Sequence, residues 1–195
     1  SRGLNSFLVE DPDQYVTHVV EILTMGRVVA WFQGRMEFGP RALGSRSFLA
    51  DPRYDSIRET INSKIKKREL FRPFAPSIKR EAAQEFFNIS QDSPFMNIAA
   101  DVRADKKELI PAVTHIDGTS RVHSVQQDHN PLYWKLLDVF ESKTGIPILL
   151  NTSFNIQEPI VCTPDDAINT FIDSNVDLLA IGSYLVTRNG IDIKP

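Results

Sequence analysis

Residues 28–47 read Val28-Val29-Ala30-Trp31-Phe32-Gln33-Gly34-Arg35-Met36-Glu37-Phe38-Gly39-Pro40-Arg41-Ala42-Leu43-Gly44-Ser45-Arg46-Ser47. The first five are continuously apolar and rich in β-branched and aromatic side chains, which predicts a buried strand. Three glycines, three arginines and two serines follow within fourteen residues. Glycines let backbone N–H groups come close to an anion, and arginine forks add paired contacts to phosphate oxygens. A strand opening onto such a loop is how α/β proteins commonly hold a phosphate. The alternative is a turn whose arginines pair with Glu37, Asp51 and Asp55. Gly-x-x-x-x-Gly-Lys-Ser/Thr is absent, so this is not a P-loop.

Working outward, Asp11-Pro12-Asp13 is a helix start, Val16, Val19, Val20 and Leu23 share one face, and Gly26 is a stop. A short strand follows the loop at 48–50. Ile57, Ile61 and Ile65 predict a helix over 55–67 with a basic far end. Strands are expected at 74–78, 95–102, 121–125, 147–150, 178–181 and 184–187. Helices are expected at 81–87 and 131–142, the latter burying Leu132, Leu136, Val139 and Phe140, and another starts at Pro164-Asp165-Asp166. Helices and strands interleave without repeat, low-complexity tract or linker. The pattern is one α/β domain, residues 1–195, with a twisted mixed sheet and flanking helices.

Composition narrows the class. Hydrophobic residues make up 42% and charged residues 24% of 195 residues, ordinary for a soluble domain able to bury its own core. Cys162 is the only cysteine, which excludes an intrachain disulfide and suits a reducing, cytoplasmic setting. No apolar run reaches the roughly 18 residues that span a bilayer, so no membrane role is expected. The net charge of −3 speaks against broad nucleic-acid binding. Most basic residues nevertheless crowd between Arg27 and Arg80, a distribution suited to a small polyanion. The chain begins Ser-Arg-Gly-Leu, without an initiator Met or a signal-peptide core, and is expected to be a piece of something longer.

Three further stretches carry chemistry. Lys64-Ile65-Lys66-Lys67-Arg68 leads into Phe71-Arg72-Pro73-Phe74-Ala75-Pro76, where prolines should hold Arg72 in place. His115-Ile116-Asp117-Gly118-Thr119-Ser120-Arg121 delivers Arg121 onto a strand from a tight turn. Leu149-Leu150-Asn151-Thr152-Ser153-Phe154-Asn155 ends an apolar strand in amides and hydroxyls, at the strand end where α/β proteins bind ligands. His115, His123 and His129 match no metal-ligand spacing, so no metal site is expected. Ser153 lacks a Gly-x-Ser-x-Gly elbow, and the surroundings of Cys162 read as buried, so neither is taken as a nucleophile.

Together these stretches, from about Val28 to Tyr184, resemble the C-terminal domain of the O-carbamoyltransferase family that includes nodulation protein U and the cephem and tobramycin carbamoyltransferases. Gly34–Ser47 continuing to Leu49-Ala50-Asp51-Pro52-Arg53 is the most specific part. The chain departs from that family's usual residues at Ser45, Ser120 and His123. The resemblance implies a YrdC-like fold that makes carbamoyl-adenylate from carbamoyl phosphate and ATP, with Mg²⁺ accompanying the nucleotide. It implies that an N-terminal Kae1-like domain, absent from this chain, passes the carbamoyl group to an acceptor hydroxyl. Arg41, Lys66, Arg121 and Ser153, with Asn151 beside them, are the ligands it implies. Arg46 and Arg72 join them as candidate phosphate contacts, and Lys66 and Arg121 are the candidate catalytic cations. A threonylcarbamoyl-AMP synthase and a non-catalytic nucleotide- or RNA-binding module are the competing functions.

Overall fold

The computed structural model describes residues 3–188. In chain order the elements are β1 (Leu4–Leu8), α1 (Pro12–Thr24), β2 (Val29–Phe32), β3 (Arg46–Ala50), α2 (Ser56–Glu59), β4 (Ala75–Lys79), α3 (Ala83–Phe86), β5 (Ile98–Asp101), β6 (Thr119–Val125), α4 (Pro131–Thr144), β7 (Ile148–Ser153), α5 (Pro164–Ser174), β8 (Leu178–Ile181) and β9 (Tyr184–Arg188). The strands form one mixed sheet in the order β1-β9-β8-β2-β3-β7-β4-β6-β5. Only β2–β8 and β4–β6 run parallel; every other neighbouring pair is antiparallel.

Sequence chemistry accounts for the elements. The central strands β2, β3 and β4 are buried along their whole length; β2 is the continuous apolar run this calls for, while β3 and β4 also bury Arg46, Ser47, Ser77 and Lys79. Asp11 caps α1 by accepting from the Asp13 N–H at 2.9 Å, with Pro12 in the first turn. Helix α4 starts at Pro131 under an Asn130 cap and ends where Gly145 takes φ +77. Thr163 and Asp166 form a reciprocal capping box on α5. Helices α1 and α4 pack on each other and are bridged by Lys135–Asp13 and Lys143–Glu21.

The single mixed α/β domain expected from the sequence is what folds. The strand expected at 95–102 is confined to Ile98–Asp101 and the helix expected at 81–87 to a 3-10 turn and Ala83–Phe86, and four further details differ. Strand β1 was not expected, because it carries no alternating apolar pattern; it is held by pairing with β9, Leu4 opposite Arg188. Strand β7 continues through Ser153, so Asn151 and Ser153 stand on a strand. Tyr133, not Leu132, fills the core under α4, tilted against Trp31. The helix expected over 55–67 is α2 followed by a π turn, Thr60–Ile65. Lys66 N–H reaches the Ile61 carbonyl at 2.7 Å across that wider turn. Buried Asn62 secures the exit, donating to the Leu70 and Arg72 carbonyls and accepting from Arg68 Nε. The π turn leaves Lys66 buried, where a regular surface helix would have kept it in water. Among the described residues, no helix is long and apolar enough to cross a membrane.

Candidate functional site

Strand register decides what can meet. Strands β3 and β4 both run antiparallel to β7, with Ser47 opposite Ser153 and Ala75 opposite Asn151, while β6 runs parallel to β4. The carboxyl end of β7 therefore shares one end of the sheet with the amino ends of β3, β4 and β6. The loop 33–45, the segment 66–74, the turn before Arg121 and the run 151–155 converge there. Stretches far apart in sequence become one cleft.

The cleft consists of three adjoining hollows of about 90, 190 and 500 Å³. Arg41 and Arg68 border all three. Arg121 and Asn151 line the smallest, together with Ser153; Arg72 and His115 line the second; Lys66, Arg72 and Asn155 line the largest. The only carboxylate lining any of them among the described residues is Glu69, 3.9 Å from Arg72 on the solvated rim. Burial, and then the neighbouring Arg41, push the Arg121 guanidinium below its usual range. Burial and then Arg72 do the same to Arg68. Cations that lower one another's affinity for protons lack counter-charge, and a bound anion would supply it. The cleft is built for negative charge.

Each expected residue has a defined place. Arg121 has its Nε buried without a partner. Asn151 is buried; its Nδ2 donates to the Ala42 carbonyl at 3.0 Å and to Ser77 Oγ at 2.9 Å, and its Oδ1 has no partner. Lys66 Nζ donates to Asn155 Oδ1 and the Asn155 carbonyl, both at 2.7 Å, and to Ser153 Oγ at 3.1 Å. Burial pushes its ammonium down to about 7. Ser153 Oγ in turn donates to Asn155 Oδ1 at 2.7 Å. Lys66 thus ties down the exit of β7 while lining the largest hollow. The Arg72 carbonyl accepts from Asn62, but its side chain is not held as the flanking prolines suggested: it stays on the rim, 54% exposed.

Arg46 is a correction. Its guanidinium lies 3.6 Å from the centre of the Phe32 ring and donates to the carbonyls of Gln33, Ser45 and Gly34. It lines none of the three hollows and closes the neck of the loop from beneath. The three carbonyls take up its terminal N–H groups, while its Nε is buried without a partner among the described residues. Cys162 is a second correction: it is exposed, and only its neighbour Val161 is buried. The alternative pairing of the loop's arginines does not form. Asp51 is bound by Arg53 and Asp55 by Arg58, while Glu37 Oε1 accepts from the Leu43 and Ser45 N–H groups and shapes the loop.

Arg68, Asn62 and Asn155 were missed as site residues. The basic run Lys64–Arg68 contained Arg68 but gave no reason to single it out beside Lys66, because the π turn that brings it inward leaves no signature in the sequence. Asn155 could be read only as the last amide of the 149–155 run.

The family described as Carbamoyltransferase C-terminus matches residues 20–188. Nodulation protein NolNO of Sinorhizobium fredii is 48% identical over 184 residues, which is 92% of this chain and 27% of that protein. The 3'-hydroxymethylcephem-O-carbamoyltransferase of Amycolatopsis lactamdurans is 40% identical over 151 residues, 74% of this chain and 28% of that enzyme. The chain therefore spans little more than a quarter of either relative. The crystal structure of full-length HypF in its phosphate- and nucleotide-bound form superposes with a TM-score of 0.60, covering 95% of this chain and 22% of HypF. At 18% identity that likeness is one of fold, and it agrees with the YrdC-like architecture expected. By sequence match over most of its length, the chain belongs to the carbamoyltransferase C-terminal family.

Proposed function

We propose that the cleft binds carbamoyl phosphate and ATP and joins the carbamoyl group to AMP, the product then meeting an acceptor hydroxyl in an N-terminal, Kae1-like domain of a longer protein. Carbamoyl phosphate loses phosphate to water, and the carbamate oxygen attacks the α-phosphorus of ATP, releasing pyrophosphate. Such a step is carried by positioning and by fixed charge at the phosphoryl oxygens. Arg41, Arg68, Arg72 and Arg121 would hold those oxygens, with Lys66 behind Ser153. Asn151 and Ser153 would read the carbamoyl end, which cations cannot. The observation carrying this reading is an unpartnered neutral acceptor, Asn151 Oδ1, on a residue that lines the smallest hollow beside Arg41, Arg68 and Arg121. The one carboxylate on the rim is paired with Arg72, so Mg²⁺ would ride on nucleotide phosphates and water rather than on protein ligands.

Calorimetric titration tests it. The intact protein should bind carbamoyl phosphate and ATP, and a requirement for bicarbonate and threonine in place of carbamoyl phosphate would favour the synthase reading instead. Lys66 gives the titration a pH signature. With its ammonium down at about 7, it holds a proton only part of the time near neutrality. A phosphate close by favours the charged form, so binding takes up a proton. Affinity should therefore fall as pH rises from 7 to 9, by at most about tenfold per pH unit for one proton. Heats measured at pH 7.5 in buffers of different ionisation enthalpy should reveal the uptake. Proton release on binding, or affinity that climbs with pH, would remove Lys66 from the anion site. Stability of the free protein has the complementary sign. The folded pKa lies below the ordinary value of 10.5, so the cost of charging Lys66 is full below about pH 7 and disappears towards 10.5.

A further inference from the structure

We infer that Ser77 and His123 are positioning residues that fix the polarity of Asn151, so that the cleft offers the ligand an acceptor and selects an acyl phosphate whose acyl group carries N–H. The inference rests on the reading just proposed and names what makes the site selective within it.

The argument is a count of hydrogens along a buried chain. The Ala42 carbonyl can only accept, so the Asn151 group 3.0 Å from it is the amide NH₂. The second N–H of that group points at Ser77 Oγ, 2.9 Å away. Ser77 Oγ therefore accepts from Asn151 and must send its one hydrogen elsewhere. The Tyr133 hydroxyl lies nearby but makes no hydrogen bond, so the partner left for that hydrogen is His123 Nδ1 at 2.7 Å. Nδ1 must then be the bare nitrogen of a neutral ring protonated at Nε2. Burial enforces that state, pushing the imidazolium down to about 4. The chain has an acceptor at each end, and its polarity cannot reverse.

All three side chains are buried, so water does not offer the alternative partners that would let the amide turn over. Parallel strands supply the spacing: Ser77 on β4 lies opposite His123 on β6, and Tyr133 stacks on the imidazole. What remains is Asn151 Oδ1, a buried acceptor without a partner among the described residues, on a side chain that borders a hollow whose cationic lining (Arg41, Arg68, Arg121) only donates. Phosphate oxygens cannot satisfy it, whereas the NH₂ of a carbamoyl group can. An acetyl group presents methyl and leaves the buried acceptor unpaired, a loss worth about tenfold or more in affinity.

Two measurements on the intact protein test this. In protein carrying ¹⁵N-histidine, the His123 ring should be neutral with Nε2 protonated and Nδ1 bare at pH 7. A Nδ1–H tautomer or an imidazolium overturns the inference without any variant. Titrations with carbamoyl phosphate, acetyl phosphate and inorganic phosphate supply the functional arm. The unmodified protein should prefer carbamoyl over acetyl phosphate by about tenfold or more. His123→Gln, whose amide oxygen can take the Ser77 hydrogen, should keep that preference. His123→Leu leaves the Ser77 hydrogen without its acceptor and the Ala42 carbonyl as the restraint that remains on the amide, so the preference should shrink severalfold, with inorganic phosphate affinity little changed. A folded His123→Leu protein that prefers carbamoyl phosphate as strongly as the unmodified protein overturns the inference alone. An unmodified protein that binds neither acyl phosphate better than inorganic phosphate overturns the proposed function with it.

Discussion

Arg121→Ala lowers affinity for carbamoyl phosphate by about tenfold to a hundredfold while leaving the melting temperature unchanged or slightly raised. The loss follows from one charge-assisted hydrogen bond to phosphate, about 1.5–3 kcal/mol. The stability half follows from what Arg121 lacks. Among the described residues its Nε is buried without a partner and it forms no ion pair with a carboxylate, and the charged neighbour that acts on it is Arg41, of the same sign. Removing it breaks nothing that holds the fold and relieves a repulsion. Arg121→Lys should recover little, since a point charge cannot reproduce a planar fork. Calorimetric affinity and thermal unfolding, measured on the same preparations, decide the matter. Ordinary affinity with lost stability would make Arg121 a structural residue and end its assignment to the site.

Among the glycines of the described residues, Gly44→Ala should be the most damaging. Gly44 sits at φ +95, and a Cβ there would run into the ring of Tyr133. That ring cannot retreat, being fully buried and packed with Trp31 and His123. The Gly44 backbone is held too, its carbonyl accepting from Trp31 Nε1 at 2.9 Å and its N–H donating to Ser47 Oγ at 3.2 Å. Positive φ costs a non-glycine residue about 1–3 kcal/mol and overpacking about 1–3 more. At this chain length a loss of that size lowers the melting temperature by roughly 5–20 °C. Because Gly44 follows Arg41 and Ala42 in the same loop, anion binding should fall with stability. A Gly44→Ala protein melting within about 2 °C of the parent would mean the loop gives way cheaply.

Much of this was legible before any coordinates. The alternation of helix and strand, the strand at Val28 and the density of glycine and arginine after it are local signals, written within a few residues of where they act. Arg41, Arg121, Asn151 and Ser153 were named through the family resemblance, and of these Arg121 opens an expected strand while Asn151 and Ser153 follow the end of one. What escaped depends on pairing between distant segments. Nothing near Arg46 says that three carbonyls will claim its guanidinium, since they become available only when β2 and β3 close on each other. The π turn at Thr60–Ile65 is set by Asn62 reaching forward to Leu70 and Arg72, and it alone converts Lys66 and Arg68 from surface charges into cleft residues. The Asn151–Ser77–His123 chain joins three strand residues that no sequence window contains together.

The shortage of carboxylates around the four arginines reaches into the test tube. A cavity with fixed positive charge and almost no internal counter-ion recruits one from solution, and phosphate or sulfate in a buffer will do. Either salt then counts as a ligand of the folded form, raising its apparent melting temperature with concentration, and as a competitor that weakens the measured affinity of any phosphate compound. Two laboratories using phosphate and HEPES would report different constants for the same molecule, and both would be right about their own solution.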